Sequence, residues 1–406
     1  MIFILLFSCE KEKAVQLKLG EWRGVLQLDS ENELPFNFNF SFIDSGFTIS
    51  VFNAEEKIVV DDVIYINDSL LIQMPFYQSE FALLNFGDSL KGYYYDKSRS
   101  EDYKIPFIAF HNEKYRFKPS SEKIIKYPTI RNFEVSFSPN TDNQYKAILN
   151  INNISPTRIS ANFETETGDY RYLEGIIDNG ELKLSSFDGA HAFLFKGKLI
   201  NIDSIYGRFW SGNHWKNNWS ARRNDTFQLT NPYMLTNKTN EKVNFSFPDL
   251  ENNLISLSDD KYKNKPVILQ IMGSYCPNCL DESKYLSKIY NKYKVNGLEI
   301  ISLAFERSTK GEQKGIREKV FENLRRYKKS IGINYEILLA SMSKDKKEAI
   351  KQLPFLDKVL SYPTTVYLNR NHEVIKIHTG FYGPASGVKY NQFITENKLL
   401  LDKLLN

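Results

Sequence analysis

The sequence predicts an α+β protein of several domains, with an all-β region that is internally duplicated as a sandwich or barrel and an α/β domain after it. Three observations predict this. From about Gly20 to Arg223 aromatic and polar residues alternate with a period of two. A segment of the first half recurs in the second. After residue 245, continuous apolar runs alternate with stretches of helical periodicity. A length of 406 residues fits this reading, because one compact core seldom organises so long a chain.

The first element is the apolar run MIFILLFSC, which ends at Cys9. It falls short of the roughly 20 residues that a membrane-spanning helix needs. It resembles the tail of a bacterial lipoprotein signal, in which Cys9 would carry the lipid and become the first mature residue. The departure is that no Lys or Arg precedes the run, as a start site set too late would explain. On this reading residues 1–13 are signal and tether, and the rest of the chain faces the periplasm from a lipid anchor in the cell envelope.

The β region comes next. PFNFNFSF at 35–42 places Phe36, Phe38, Phe40 and Phe42 on one face of a half-buried strand. Turn residues at Asp44 to Gly46, at Asn67 and Asp68, and at Asp178 to Gly180 separate short strands. Residues 76–95, FYQSEFALLNFGDSLKGYYY, resemble residues 187–210, FDGAHAFLFKGKLINIDSIYGRFW. Both pass from an aromatic turn through an apolar strand to Asp-Ser and then to a glycine that opens another aromatic strand. Two β units are expected, 14–125 and 126–228, either as two barrels or as one large sandwich. The Asn- and Thr-rich stretch that follows, 229–245, reads as a linker.

The domain from 246 to 406 has a different pattern. ILQIMG and LEIISLAF are strands apolar on both faces, and the segments around them repeat at helical spacing. Leu286, Ile289, Tyr290 and Tyr293 share one helical face, and Ile316, Val320, Leu324, Tyr327 and Ile331 share another. Strand, helix, strand, helix implies parallel pairing at the centre.

Composition excludes some functions. The 53 Lys and Arg nearly balance the 49 Asp and Glu, so no broad field collects nucleic acid. The only cysteines are Cys9, Cys276 and Cys279, too few for a disulfide-stapled scaffold. Zinc wants four ligands, and this chain offers one Cys-X-X-Cys with histidines scattered at 111, 191, 214, 372 and 378, so no metal is expected. A structural disulfide there would close too short a loop to add much stability.

Redox chemistry accounts for more of the local sequence. A strand ending at Gly273, followed by a helix starting near Cys276, puts that sulfur at the helix N-terminus, where unpaired N–H groups and the dipole favour thiolate. Pro277 suits the first helical position. Cys279 follows one turn later as the buried, resolving thiol. Cys279, Glu282, Leu286, Ile289 and Tyr293 share a face, so Glu282 sits on an apolar stripe that would raise its pKa and suit it to exchange a proton with Cys279. Alternatively, Asp281 and Glu282 only complement the dipole in the first turn.

Residues 246–405 resemble the thioredoxin-like domain of the TlpA/ResA-type thiol:disulfide oxidoreductases. The likeness rests on the Cys-X-X-Cys after a strand, the Glu three residues beyond it, and LSYPTTVYLNRNHEVIKIHTG at 360–380. The segments SSFDGAHAFLFKG, SGNHWKNNW, IMGSYCPNC and HTGFYGP are similar to a lipid-anchored branch with an N-terminal β region. The resemblance implies that Pro363 is cis and faces the cysteines, and that Tyr275, Tyr362 and Thr364 contact substrate, Tyr362 through its backbone. It also implies protein disulfides as substrates, a membrane thiol-electron donor such as a DsbD/CcdA-type transporter, a reductive direction, and no cofactor beyond the Cys276–Cys279 disulfide. Three positions depart from the family pattern. Tyr275 replaces the usual Trp, Leu280 replaces a common Arg, and the dipeptide is Pro-Asn, which leaves the reduction potential open.

Two other functional readings remain at this point. One is an envelope lipoprotein whose β region captures a ligand or partner. The other is a thiol peroxidase, although the Thr-X-X-Cys setting of that chemistry is absent. Trp210, Trp215 and Trp219, with His191 and His214, form a partner patch or simply pack a strand edge. LRRYKK at 324–329 reads as a solvated helix face, and GFYGPASG at 380–387 as a turn before a last helix.

Overall fold

The computed structural model describes residues 15–120, 130–307 and 315–405, so Cys9 and the run before it lie outside the described residues. The first β unit is a nine-stranded antiparallel sheet that runs from Gly20–Gln27 to Lys104–His111, with Gly20–Gln27 at its middle between Glu33–Ile43 and Lys104–His111. The alternation in PFNFNFSF buries Phe38 and Phe40 against Trp22 and Phe36 against Phe187, while Phe42 is 56% exposed because the strand outruns the core.

The second unit closes on itself. Eight antiparallel strands from Ile130–Phe137 to Trp215–Arg223 form a ring, sealed where Tyr145–Ser155 pairs with Arg158–Thr165. Full closure leaves no exposed sheet edge. The barrel is filled by Phe163, Phe195, Phe209 and Trp219. The repeated segments are equivalent hairpins, Ser79–Asn85 with Ser89–Asp96 and Ala192–Asn201 with Ser204–Ser211. Their shared glycines have a common cause. A Cβ on Gly92 would lie 2.1 Å from the Ala82 carbonyl oxygen, and one on Gly207 would lie 2.2 Å from that of Lys196.

The two units are packed into one body. Phe187, Leu194 and Trp210 of the second join the core of the first. Arg116, 5% exposed, donates to the Ser185 carbonyl at 3.1 Å and to the Phe52 carbonyl, and stands 3.8 Å from Glu174. The tryptophans therefore divide: Trp219 is core, Trp210 is inter-unit packing with its indole N–H on Asp29 at 3.2 Å, and Trp215 is 42% exposed.

The C-terminal domain has a five-stranded sheet in the order Glu336–Ser341, Glu299–Phe305, Val267–Met272, Thr364–Leu368, Val374–Thr379. The first three are parallel, Thr364–Leu368 runs antiparallel to them, and Val374–Thr379 runs antiparallel to Thr364–Leu368. Val267–Met272 is buried throughout, as its apolar run predicts. Four helices complete the domain: α1 (Pro277–Tyr293), α2 (Ile316–Ile331), α3 (Lys346–Gln352) and α4 (Val388–Leu405). One surface expectation holds only in part. Arg325 of α2, its side chain 42% exposed, donates to the Leu250 carbonyl of its own domain at 2.7 Å and Lys329 is exposed, but Arg326 reaches the Tyr77 carbonyl of the β region.

Candidate active site

Val267–Met272 delivers the chain to Gly273, and the turn that follows is pinned by Glu306, whose carboxylate accepts from the Ser274 N–H at 2.8 Å and from its hydroxyl at 2.7 Å. Cys276 then caps α1 with extended backbone (φ −96°, ψ 123°), and Pro277 takes the first helical position. The Cys276 sulfur accepts from the Cys279 N–H at 3.4 Å. Both cysteines are free thiols, Cys276 partly exposed and Cys279 fully buried.

The environment separates the two sulfurs. A hydrogen bond from Cys279, helped by backbone N–H groups of α1, holds Cys276 below the ordinary thiol range, although burial works against it. Burial and the adjacent Cys276 push Cys279 well above that range. The outer sulfur is thus the one favoured as thiolate, and the inner one is kept as thiol.

Across from them, the Tyr362–Pro363 bond is cis, and the Tyr362 carbonyl accepts from the Cys276 thiol at 3.3 Å. The Tyr362 ring stacks on Phe305. Tyr275 lies under the Arg307 guanidinium, 4.2 Å from the ring centre. Thr364 is fully buried and donates to the Ser361 carbonyl at 2.8 Å.

Glu282 is 1% exposed. It accepts from Gln270 Nε2 at 2.9 Å and from Thr365 Oγ1 at 2.6 Å. Burial raises its pKa to about 7 despite these two donors. Its hydrogen bonds run to these two side chains and to neither sulfur. The sequence reading missed both partners. Gln270 was detectable as the one polar residue of VILQIM, whereas Thr365 had no signal beyond its place after the proline. Asp281 and Glu282 sit beyond the first turn, which carries no acidic residue, so dipole compensation does not explain them.

A strand leading into a Cys-X-X-Cys helix, with a cis-proline loop across from it, defines the thioredoxin-like dithiol domains, and the C-terminal part of this chain is one. A family model described as Redoxin matches residues 238–389. Two thiol-disulfide oxidoreductases named ResA are relatives. That of Halalkalibacterium halodurans is 29% identical over 142 residues, covering 34% of this chain and 67% of its own. That of Bacillus thuringiensis subsp. konkukian is 43% identical over 63 residues, covering 16% and 35% respectively. A solved thiol-disulfide oxidoreductase from Bacteroides fragilis is 16% identical, with a TM-score of 0.28, covering 37% of this chain and 96% of its own. The chain thus spans two thirds of one ResA relative and about a third of the other. Residues 238–389 carry the Redoxin match, and the domain is of the TlpA/ResA thiol-disulfide oxidoreductase type.

Proposed function

We propose that the chain reduces protein disulfides from the extracytoplasmic face of a membrane, anchored by a lipid on Cys9 and recharged by a membrane thiol-electron donor. The observation that supports this best is the opposed treatment of the two thiols, one lowered at a helix tip and one raised in the core. Cys276, as thiolate, attacks one sulfur of the substrate disulfide, forming a mixed disulfide and releasing the other sulfur as thiolate. Cys279 passes its proton toward Glu282 and attacks the Cys276 sulfur. This expels the second substrate thiolate and leaves Cys276–Cys279 oxidised. Two electrons and two protons pass from the enzyme dithiol to the substrate, and the donor restores them. No dissociable cofactor takes part. The Tyr362 carbonyl, next to the attacking sulfur, is the backbone group available to a docked chain.

Insulin-disulfide reduction tests the proposal, with wild type beside Cys276→Ser and Cys279→Ser. Wild type is expected to turn over, Cys276→Ser to fall to background, and Cys279→Ser to accumulate a covalent insulin adduct. A wild type no faster than Cys276→Ser would overturn it.

A further inference from the structure

The dipeptide between the cysteines is held from outside its own domain. In the second β unit, the strand Arg158–Thr165 turns into the short strand Gly168–Asp169, and this turn lies against the dithiol site. Gly168 forms a parallel bridge with Phe381. Gly383 N–H donates to Asp169 Oδ2 at 2.7 Å, and Tyr382 Oη donates to the Thr165 carbonyl at 2.7 Å. Asn278, with its carboxamide oriented so that both ends are satisfied, donates to the Asp169 carbonyl at 3.2 Å and accepts from the Asp169 N–H at 3.3 Å. The approach is too close for a side chain. A Cβ on Gly168 would lie 2.0 Å from the Asn278 carboxamide.

Arg171 completes this wall. Its Nη1 donates to the Pro277 carbonyl at 3.1 Å and pairs with Asp281 Oδ2 at 2.9 Å. Its other nitrogens reach Glu56 of the first β unit and, at 3.9 Å, Asp188 of the second. The residue is 4% exposed, and its φ of 57° is left-handed, a backbone conformation that a non-glycine residue keeps only where its surroundings enforce it. One buried guanidinium thus joins both β units to the first turns of α1.

We propose that Arg171, with the Gly168–Asp169 turn, is a positioning group of the dithiol site, so that the β region sets how readily Cys276 is held as thiolate. The proposal rests on the thiol-disulfide reading of that site and deepens it. A salt bridge that only docked two domains would need no contact with the dipeptide, yet Arg171 binds the carbonyl of the residue next to Cys276. The charged groups facing this flank are Arg171, Asp281, Glu56, Asp188 with His191, Asp169 and Lys284. Loss of the guanidinium leaves carboxylates without their cation beside the helix tip, which disfavours a thiolate there. Loss of the Asp281 charge alone leaves the cation in place and does the opposite.

The test is the pH dependence of Cys276 alkylation by iodoacetamide on the full chain. It needs no substrate disulfide, so it can fail while the reductase reading stands, and the reverse. Arg171→Met is expected to raise the Cys276 pKa, for a threefold to tenfold loss of thiolate below that pKa. Asp281→Asn, whose amide oxygen still accepts from Arg171, is expected to lower it. Arg171→Lys, which keeps the charge, should recover most of the shift. In equilibrium with glutathione, Arg171→Met should move toward the disulfide, where tenfold corresponds to about 30 mV. A folded Arg171→Met whose profile superposes on wild type overturns the proposal, as do shifts of the same sign in Arg171→Met and Asp281→Asn. Should Arg171→Met fail to fold, a Cys276 pKa that does not fall in Asp281→Asn overturns it.

Discussion

Glu282→Gln is the substitution whose consequence can be worked furthest. In the folded chain the Glu282 carboxyl is buried and titrates at about 7, against 4.5 when free. A carboxyl raised on folding contributes no penalty at low pH, where both states are neutral. As pH rises past 4.5 the unfolded chain ionises first, so stability is lost progressively until the folded group ionises near 7. With 1.36 kcal/mol per pKa unit, the penalty is about 1 kcal/mol at pH 5 and about 3 kcal/mol at pH 8. Glutamine keeps the shape and removes the titration. Its amide faces the Gln270 and Thr365 donors imperfectly, which costs a constant amount at every pH. The stability difference between variant and wild type should therefore move in favour of the variant by about 2 to 3 kcal/mol between pH 5 and pH 8. Asp169, also raised to about 7, titrates in both proteins and cancels in the difference. Urea unfolding followed at 222 nm is the assay, because α1 to α4 all lie in the C-terminal domain and report on it. A difference that stays flat from pH 5 to pH 8 would refute the argument that burial raises the Glu282 carboxyl.

Two other outcomes follow from buried polar groups. Gln270→Leu deletes one donor to Glu282, so the carboxyl should titrate about one unit higher; a 13C-detected titration reads this, and an unmoved midpoint sinks the role given to Gln270. Arg116→Met leaves Glu174 without one of its cations and the Ser185 and Phe52 carbonyls without their donor. It should destabilise the β region by about 3 kcal/mol, read through tryptophan fluorescence, since all four tryptophans lie before the linker; a change under about 0.5 kcal/mol would show that the two units do not depend on this residue.

Much of the site was legible because it is local. A sulfur at a helix tip, a proline at the first helical position and a second sulfur one turn later are consequences of spacing within a dozen residues, and the apolar face carrying Cys279 and Glu282 follows from the 3.6-residue period. The β region was legible as strands and as a repeat, because alternation and turn residues are local too. Closure of the second unit into a barrel was not. It depends on Tyr145–Ser155 meeting Arg158–Thr165 while Ile130–Phe137 meets Trp215–Arg223 from the far end of the unit, and no residue in either strand advertises that partner. Within the basic stretch of α2, Arg326 was misread for the same reason. Arg326 is charged and lies opposite the buried face, but the Tyr77 carbonyl that it meets is supplied from a different unit.

The wall beside the dithiol is the strongest case of this limit. TETGDYR, residues 165–171, holds a turn at 166–167, with Gly168 and Arg171 both at positive φ. Nothing in it marks a contact to a dipeptide more than a hundred residues later, because the contacts are made by two backbone groups and one guanidinium at separations that carry no periodicity. The consequence reaches beyond prediction. The Redoxin match covers residues 238–389 and leaves out Asp169 and Arg171, so the matched unit is smaller than the unit in contact with the dithiol dipeptide. A fragment cut at the linker would present Asn278 and the Pro277 carbonyl to water and would leave Asp281 without the Arg171 cation. A thiol pKa or reduction potential measured on it would describe a different site. If the dipeptide tunes a dithiol by how it is held, the Pro-Asn of this chain must be read together with the β region that grips it.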